Sequence, residues 1–294
     1  VAIFCFLLQV CLFCKSCKML NYKRFTFNYR HSVFYCISKY YLCEETYIGE
    51  EKSLPTLDCL QQMALDILSE KSYEDEEVLY FNSGNSGGCR PKCLLHDTEG
   101  AWLVKFRHTY DPKDMGAMEY RYNEVARKCG ITVPDFKLMD GKYFATKRFD
   151  IENGIRYHIA TAGALLNESI MQPRLDYKTL LHLVGYLTQD PKQVDEMFRR
   201  MVFNVLTDNK DDHAKNFSFI YKEGNWALAP AYDLTRCNNG YNGEHATSVN
   251  NHGNPTIEDM LIVGESIRIP RKKGKEMILT IAEGCAELLS KKGI

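Results

Sequence analysis

NKDDHAKNFSFIYKEGNWALAPAYDL, residues 209–234, opens with a polar octet, NKDDHAKN (209–216), and ends on a further acid, Asp233. The octet holds two aspartates, a histidine, two lysines and two asparagines, and it follows the apolar run MVFNVL (201–206). Two short apolar runs come next, FSFIY and WALA, around an E-G-N turn, and together they read as a β-hairpin. A solvated connection between buried elements has no need of this mixture of acid, amide and base.

The spacing inside the octet is informative. Asp211 and Asn216 form D-x-x-x-x-N, the spacing of a kinase catalytic loop, in which the acid takes the proton of an attacking hydroxyl. The amide oxygen of Asn216 is a hard neutral donor suited to Mg²⁺, and Lys215 can neutralise charge on a transferred phosphoryl group. Asp212 is the alternative acid, but its spacing to Asn216 is wrong; with His213 the local pattern is D-x-H-x-x-N rather than H-R-D. A metal-binding aspartate should close the following hairpin, and Asp233 stands there in Y-D-L rather than D-F-G.

Working upstream, WLVKF places Lys105 in an apolar strand, where burial is costly without a partner. The helical pattern MGAMEYRYNEVARKCG (115–130) offers Glu119 as that partner, with Glu124 as a competitor. Before them, FNSGNSGGCRPK sets Gly84, Gly87 and Gly88 where bare backbone amides can approach phosphate, although the G-K-[ST] ending of a Walker A loop is absent. Each feature alone is weak. Their order, glycine loop, strand lysine, helix glutamate, D-x-x-x-x-N and hairpin-end aspartate, is a phosphate-handling plan.

The coarse pattern predicts a helix over 53–68, hairpins over 93–106 and 136–150, and the helix over 115–130. Helices follow over 157–167, 176–188, 191–206, 256–264 and 271–290, interrupted by a hairpin over 217–232. This predicts an α+β, bilobal, protein-kinase-like fold: a strand-rich N-lobe over 54–150 and a mostly helical C-lobe over 151–294. Residues 1–53 read as an atypical, poorly ordered extension, or as sequence preceding a start such as Met19. Their apolar opening, VAIFCFLLQVCLFC, is short for a membrane span and lacks the charged leader of a signal peptide. Cys11, Cys14 and Cys17 form C-x-x-C-x-x-C without a fourth ligand at suitable spacing, which disfavours a metal cluster.

Composition sets the remaining bounds. The 294 residues are 45% hydrophobic and 26% charged, with a net charge of −1. No global field therefore favours nucleic acid or membrane. The basic run RIPRKKGKE (268–276) reads as a solvated helix start. Twelve cysteines show no paired framework, which suits reduced thiols in a cytoplasm.

SGNSGGCRPKCLL, WLVKF, MEYRYNEVARKCGITVPDFKL, KRFD, FRRMVFNVLTDNKDDHAKNFSFIY and WALAPAYDL together resemble the HipA-type serine/threonine kinases, toxins of bacterial toxin–antitoxin pairs, in a short form like the HipA C-terminal kinase domain. The resemblance implies ATP with Mg²⁺, a protein substrate of the aminoacyl-tRNA synthetase kind, and a HipB-like DNA-binding antitoxin as partner. It implies neither direct nucleic-acid contact nor a membrane. By the same resemblance Asp211 is the catalytic acid/base, Asn216 and Asp233 hold metal, and Lys105 contacts phosphates. Gly87, Gly88, Cys89, Arg90, Pro91 and Lys92 cover those phosphates. Lys147, Arg148 and Phe149 meet the adenine, with His213, Ala214, Lys215, Asn216 and Tyr232 also lining the pocket.

Three departures stand out. Residues 1–53 do not resemble the N-terminal subdomain of long members. The glycine-loop position that is often a self-phosphorylated serine is Asn85, flanked by Ser83 and Ser86. The C-terminal helix stops at ELLSKKGI (287–294), where members of that family tend to run on, as expected of a truncated C-lobe. A small-molecule kinase of related fold, a non-catalytic kinase-fold module binding an antitoxin, and a decayed product that does not fold stably are the competing readings.

Overall fold

The computed structural model describes residues 56–69, 90–169, 172–238 and 240–289. All lie in one compact unit, Pro55–Ile294. The expected extension 1–53, with its cysteine triplet, lies outside the described residues.

Helix α1 (Leu57–Leu68) starts where Thr56 Oγ1 accepts the Cys59 amide at 3.3 Å. Its spacing puts Leu60, Met63 and Ala64 on one face, and all three are buried against Cys93, Trp102, Val104, Tyr143 and Ala145. Those partners come from a four-stranded antiparallel sheet of order β1-β2-β4-β3, built from β1 (Lys92–Asp97), β2 (Gly100–Lys105), β3 (Phe136–Met139) and β4 (Tyr143–Lys147). Asp97 Oδ1 fixes the first turn by accepting from the Glu99 amide and Trp102 Nε1, both at 2.8 Å. Asp140 and Gly141, at φ of 50° and 67°, close the second turn. A tight hairpin requires a left-handed pair of this kind.

Side chains alternate across a sheet. The register Val104↔Ala145 and Leu103↔Thr146 therefore puts Lys105 on the face opposite α1. Helix α2 (Met115–Lys128) covers the Lys105 side, with Tyr120 edge-on to Phe136 at 5.2 Å. Gly116 permits the approach, because a Cβ there would lie 2.1 Å from the Lys142 carbonyl oxygen. The other side of α2 (Tyr122, Val125, Ala126) joins the larger helical core, and Tyr122 donates its hydroxyl to the Thr207 carbonyl at 3.0 Å. Each large apolar side chain buried there contributes on the order of 1.5–3 kcal/mol, so α2 is anchored to both halves of the unit.

Beyond a minimal hairpin, β5 (Ile151–Glu152) with β6 (Ile155–Arg156), come β7 (His158–Thr161) and α3 (Ala162–Leu166). The helix expected over 157–167 is thus a strand followed by a short helix. Residues 158–161 pair antiparallel with β8 (Ser218–Lys222), His158↔Tyr221 through Thr161↔Ser218. This pairing outweighs local propensity. Thr161 ends the strand and caps α3, its Oγ1 accepting the Ala164 amide at 3.1 Å.

Helices α4 (Tyr177–Thr188) and α5 (Pro191–Thr207) follow, each with an aspartate N-cap, Asp176 and Asp190. Strand β9 (Asn225–Leu228) completes the sheet β7-β8-β9, so the hairpin expected over 217–232 stops at Leu228. Helix α6 (Ile257–Ser266) begins with a capping box between Thr256 and Asp259. The helix expected over 271–290 is broken at Cys285 into α7 (Arg271–Gly284) and α8 (Ala286–Leu289). Tyr177, Phe198, Met201, Phe203, Phe219 and Ile281 centre the core of this half. Among the described residues no helix is long and apolar enough to cross a membrane.

Candidate active site

Lys105 leaves the end of β2, pointing toward α2 and the segment after β9. Its Nζ contacts Glu119 of α2 and also Asp233. Burial by itself would push the lysine down, but the two carboxylates outweigh it and hold Lys105 charged well above its usual range. Glu119, only 2% exposed, is pushed up by burial, against Lys105 and with the help of Asp233. Asp233 moves the other way: burial raises it, but Lys105 foremost, then Lys92 and His213, bring it below the usual carboxylate range. Asp233 sits at φ 56°. Aspartate tolerates this left-handed backbone better than most residues. Local strain of this kind concentrates at functional sites.

The polar octet starts where α5 ends on Asp208, also left-handed at φ 55°. Cys237 donates its amide to the Asp208 carbonyl at 2.9 Å, and Lys210 donates to the Cys237 carbonyl at 3.2 Å. Lys210 Nζ reaches the Gly243 carbonyl at 2.6 Å and Asn254 Oδ1 at 3.2 Å. Asp212 is 1% exposed and accepts the Tyr177 hydroxyl at 2.9 Å and the Thr247 amide at 3.2 Å, with His245 Nδ1 at 3.0 Å. The Thr247 hydroxyl donates to the Asp212 carbonyl, and Asn204 Nδ2 donates to the Tyr177 hydroxyl at 2.9 Å. Buried Asp212 is therefore the peg on which the loop hangs.

Asp211 faces outward beside this peg. Its side chain is 61% open to solvent, and His213 Nε2 lies 3.9 Å from its Oδ1. The protein massed around it withdraws enough water to raise its pKa; His213 and Arg90 oppose the shift, while Asp233 and Asp212 add to it. Asn216, in the tight turn Ala214–Asn216, donates Nδ2 to the Asp211 carbonyl at 2.8 Å. That bond commits the amide nitrogen and leaves the amide oxygen as its cation donor. Among the described residues no group of three or more His, Cys, Asp and Glu could hold a metal ion alone. The carboxylate of Asp233 and the oxygen of Asn216 fit Mg²⁺, which characteristically takes one or two protein oxygens and completes its shell with phosphates and water.

Tyr232 closes one wall, stacked on Phe149 at 5.9 Å and donating its hydroxyl to the Lys215 carbonyl at 2.6 Å. Ala214 packs against α3 at Gly163, where a Cβ would lie 3.3 Å from its own. Arg148 is held by Asp150 through a two-pronged pair at 2.6 and 2.5 Å. Lys147 pairs with Trp102 and so lies on the α1 face of the sheet, away from Lys105; its backbone amide donates to Asp135. Arg90 forks onto Asp111 at 2.8 and 3.0 Å, and Pro91 accepts the Phe106 amide at 2.8 Å. Lys92 is buried at the start of β1. Gly84, Gly87, Gly88 and Cys89, with Ser83, Asn85 and Ser86, lie outside the described residues.

The site thus joins Lys105, Glu119 and Asp233 directly and sets Asp211, His213 and Asn216 together in the loop. Sequence reasoning missed the supports: Asp212, Tyr177, His245, Thr247 and Asp111. The adjacency of Asp212 to Asp211 was the one available signal.

The sequence matches the family model of the HipA-like C-terminal domain over residues 84–289. The chain belongs to that family. A curated relative of this HipA-like chain, named "Putative kinase Y4dM", from Sinorhizobium fredii (strain NBRC 101917 / NGR234), is 29% identical over 174 residues, 52% of this chain and 41% of its own length. A solved chain of the Shewanella oneidensis MR-1 toxin–antitoxin complex of HipA, HipB and operator DNA superposes with TM-score 0.57 at 19% identity. The superposition covers 70% of this chain and 57% of that one. The HipA-like chain therefore spans about half the length of the relatives it matches, and its fold is the α+β kinase-like fold.

Proposed function

We propose that the chain is an ATP- and Mg²⁺-dependent protein serine/threonine kinase. The observation that carries the reading is the meeting at one point of Lys105 from β2, Glu119 from α2 and Asp233 from the segment after β9. Three distant stretches converge on one charged lysine, the arrangement that phosphoryl transfer needs for holding phosphate. Lys105 would bind phosphate oxygens and Glu119 would keep its ammonium oriented. Asp233 would exchange the lysine for the cation together with Asn216. When bound, Mg²⁺ supplies charge neutralisation and orientation of the phosphates. Asp211 would accept the proton of the attacking hydroxyl, and exposed Lys215 would offset phosphoryl charge. Phe149 and Tyr232 would border the base.

A translation-related protein such as an aminoacyl-tRNA synthetase as substrate and a HipB-like antitoxin as partner rest on family likeness alone; a cytoplasmic setting rests on that likeness and on a cysteine pattern without a paired framework. The division into extension 1–53, N-lobe 54–150 and C-lobe 151–294 belongs to the same proposal.

Purified protein with labelled ATP, Mg²⁺ and a bacterial lysate should label a protein band that Asp211→Asn loses. Removing Asp233 with Asp233→Ala should abolish transfer as well. Label confined to small molecules would replace this reading with that of a small-molecule kinase, and nucleotide binding without turnover would make the chain a binding module.

A further inference from the structure

Cys129 ends α2, and Cys285 sits at the break between α7 and α8; their sulfurs lie 3.7 Å apart. The contact is built into the backbone. A Cβ on residue 284 would lie 2.5 Å from the Cys129 sulfur, so Gly284 leaves the space that this sulfur occupies. Cys129 also lies 3.8 Å from the Ile281 carbonyl, to which its thiol can donate. Neither cysteine is in a disulfide, and both are buried in the core. Yet Cys129 lines a cavity of about 170 Å³ whose walls include Arg199, Lys273, Glu276 and Thr280. A cavity of about 150 Å³ can hold a molecule as large as benzene, so this one has room for water or a small peroxide.

We propose that Cys129 and Cys285 are an oxidisable dithiol, reached by a small peroxide through this cavity and closing to an intrachain disulfide. The Cys129 thiolate attacks one peroxide oxygen, the O–O bond breaks, and hydroxide leaves to take up a proton as water. The sulfenic acid so formed is attacked by the Cys285 sulfur, which loses its proton as the S–O bond breaks and a second water departs. Two thiols and one peroxide give one disulfide and two waters. The sulfurs need close by only about 1.6 Å to reach the bond length of about 2.05 Å. The hydrogen bond from Cys285 lowers the Cys129 pKa, against burial, which favours Cys129 as the attacking sulfur. The product would tie α2, which carries Glu119, to the C-terminal helices. The proposal goes beyond phosphoryl transfer and stands whether or not the chain is a kinase.

The test is peptide mapping of the reduced full chain after hydrogen peroxide, digested without reductant. The peptides holding Cys129 and Cys285 should be recovered joined, two hydrogens lighter than their sum, and separate after dithiothreitol. Folded protein should give at least about tenfold more of this link than protein oxidised in urea. In Cys285→Ser, a dimedone adduct should appear on Cys129. Recovery of both cysteines as alkylatable thiols after exposed Cys59 has been oxidised would overturn the proposal. So would linkage of Cys129 to other cysteines as often as to Cys285.

Discussion

Glu119 and Lys105 depend on each other more than either depends on water. Their side chains are 3% and 11% exposed, so removing one partner strands the other in a poorly solvated place. Breaking a buried pair on one side costs about 3–5 kcal/mol, whereas replacing both members by apolar groups is often near neutral. Lys105→Met should therefore lose stability of that order at neutral pH, read from urea midpoints. The double variant Lys105→Met/Glu119→Leu should recover part of it, since half-exposed Asp233 still loses its lysine, while both lack transfer activity. Equal stability of Lys105→Met and the parent chain would mean that Glu119 does not rely on the lysine. A second consequence concerns Asp211, whose carboxyl is held above the ordinary aspartate value. As a proton acceptor it must be ionised, so kcat/KM should fall as pH drops through that raised pKa, above the usual aspartate value of about 3.9. An acid limb lying below about 3.9 would take Asp211 out of the role. The chemistry of these residues could be read in the sequence because their spacings are local, as in Asp211 to Asn216, or fall in a recognisable order. Asp212 could not be read that way: its partners Tyr177, His245 and Thr247 come from elsewhere in the chain, and only folding brings them together.

At the scale of elements, the loop between α5 and β8 is held by Asp212 from below and by Lys210 from the side. Asp212→Ala would leave the Tyr177 hydroxyl, the Thr247 amide and buried His245 without their acceptor. Each unsatisfied buried group costs about 1–3 kcal/mol, so the variant should lose several kcal/mol and its activity together. Asp211→Asn, at an exposed carboxyl, should lose activity with a melting temperature close to that of the parent. Melting curves of the two variants separate support from chemistry; an unchanged curve for Asp212→Ala would show that the loop does not hang on it. The elements themselves were legible to different degrees. Helices α1, α2, α4 and α5 carry strong apolar periodicity, and α2 and α5 end as their sequences indicate. The sequence of strand β7 reads as helix because HIAT is too short for its period to speak, and its identity comes from pairing with β8. The break at Cys285 is not legible locally either: Gly284, just before it, packs against the sulfur of Cys129, far away in sequence.

At the scale of the whole molecule, the family match and the folded unit do not begin at the same place. The match starts at residue 84, yet α1 (Leu57–Leu68) lies before it and packs on the strand-rich half. Leu60 is fully buried and Met63 and Ala64 nearly so, all against the face of the sheet turned away from Lys105. Removing α1 would expose that face, including Trp102, Val104 and Tyr143. At about 1.5–3 kcal/mol for each large apolar side chain, the loss of Leu60 and Met63 alone approaches the roughly 5–15 kcal/mol that holds a typical domain folded. A chain shortened to begin at Ser53 keeps this packing and should melt and transfer phosphate like the full chain. A chain shortened to begin at Gly84 should be unfolded or melt far lower, even though it retains Lys105, Glu119, Asp211, Asn216 and Asp233. Paired melting curves decide the matter. If the two shortened chains are equally stable, α1 is an ornament on the sheet; if the chain from Ser53 fails to fold, residues 1–52 carry part of the fold.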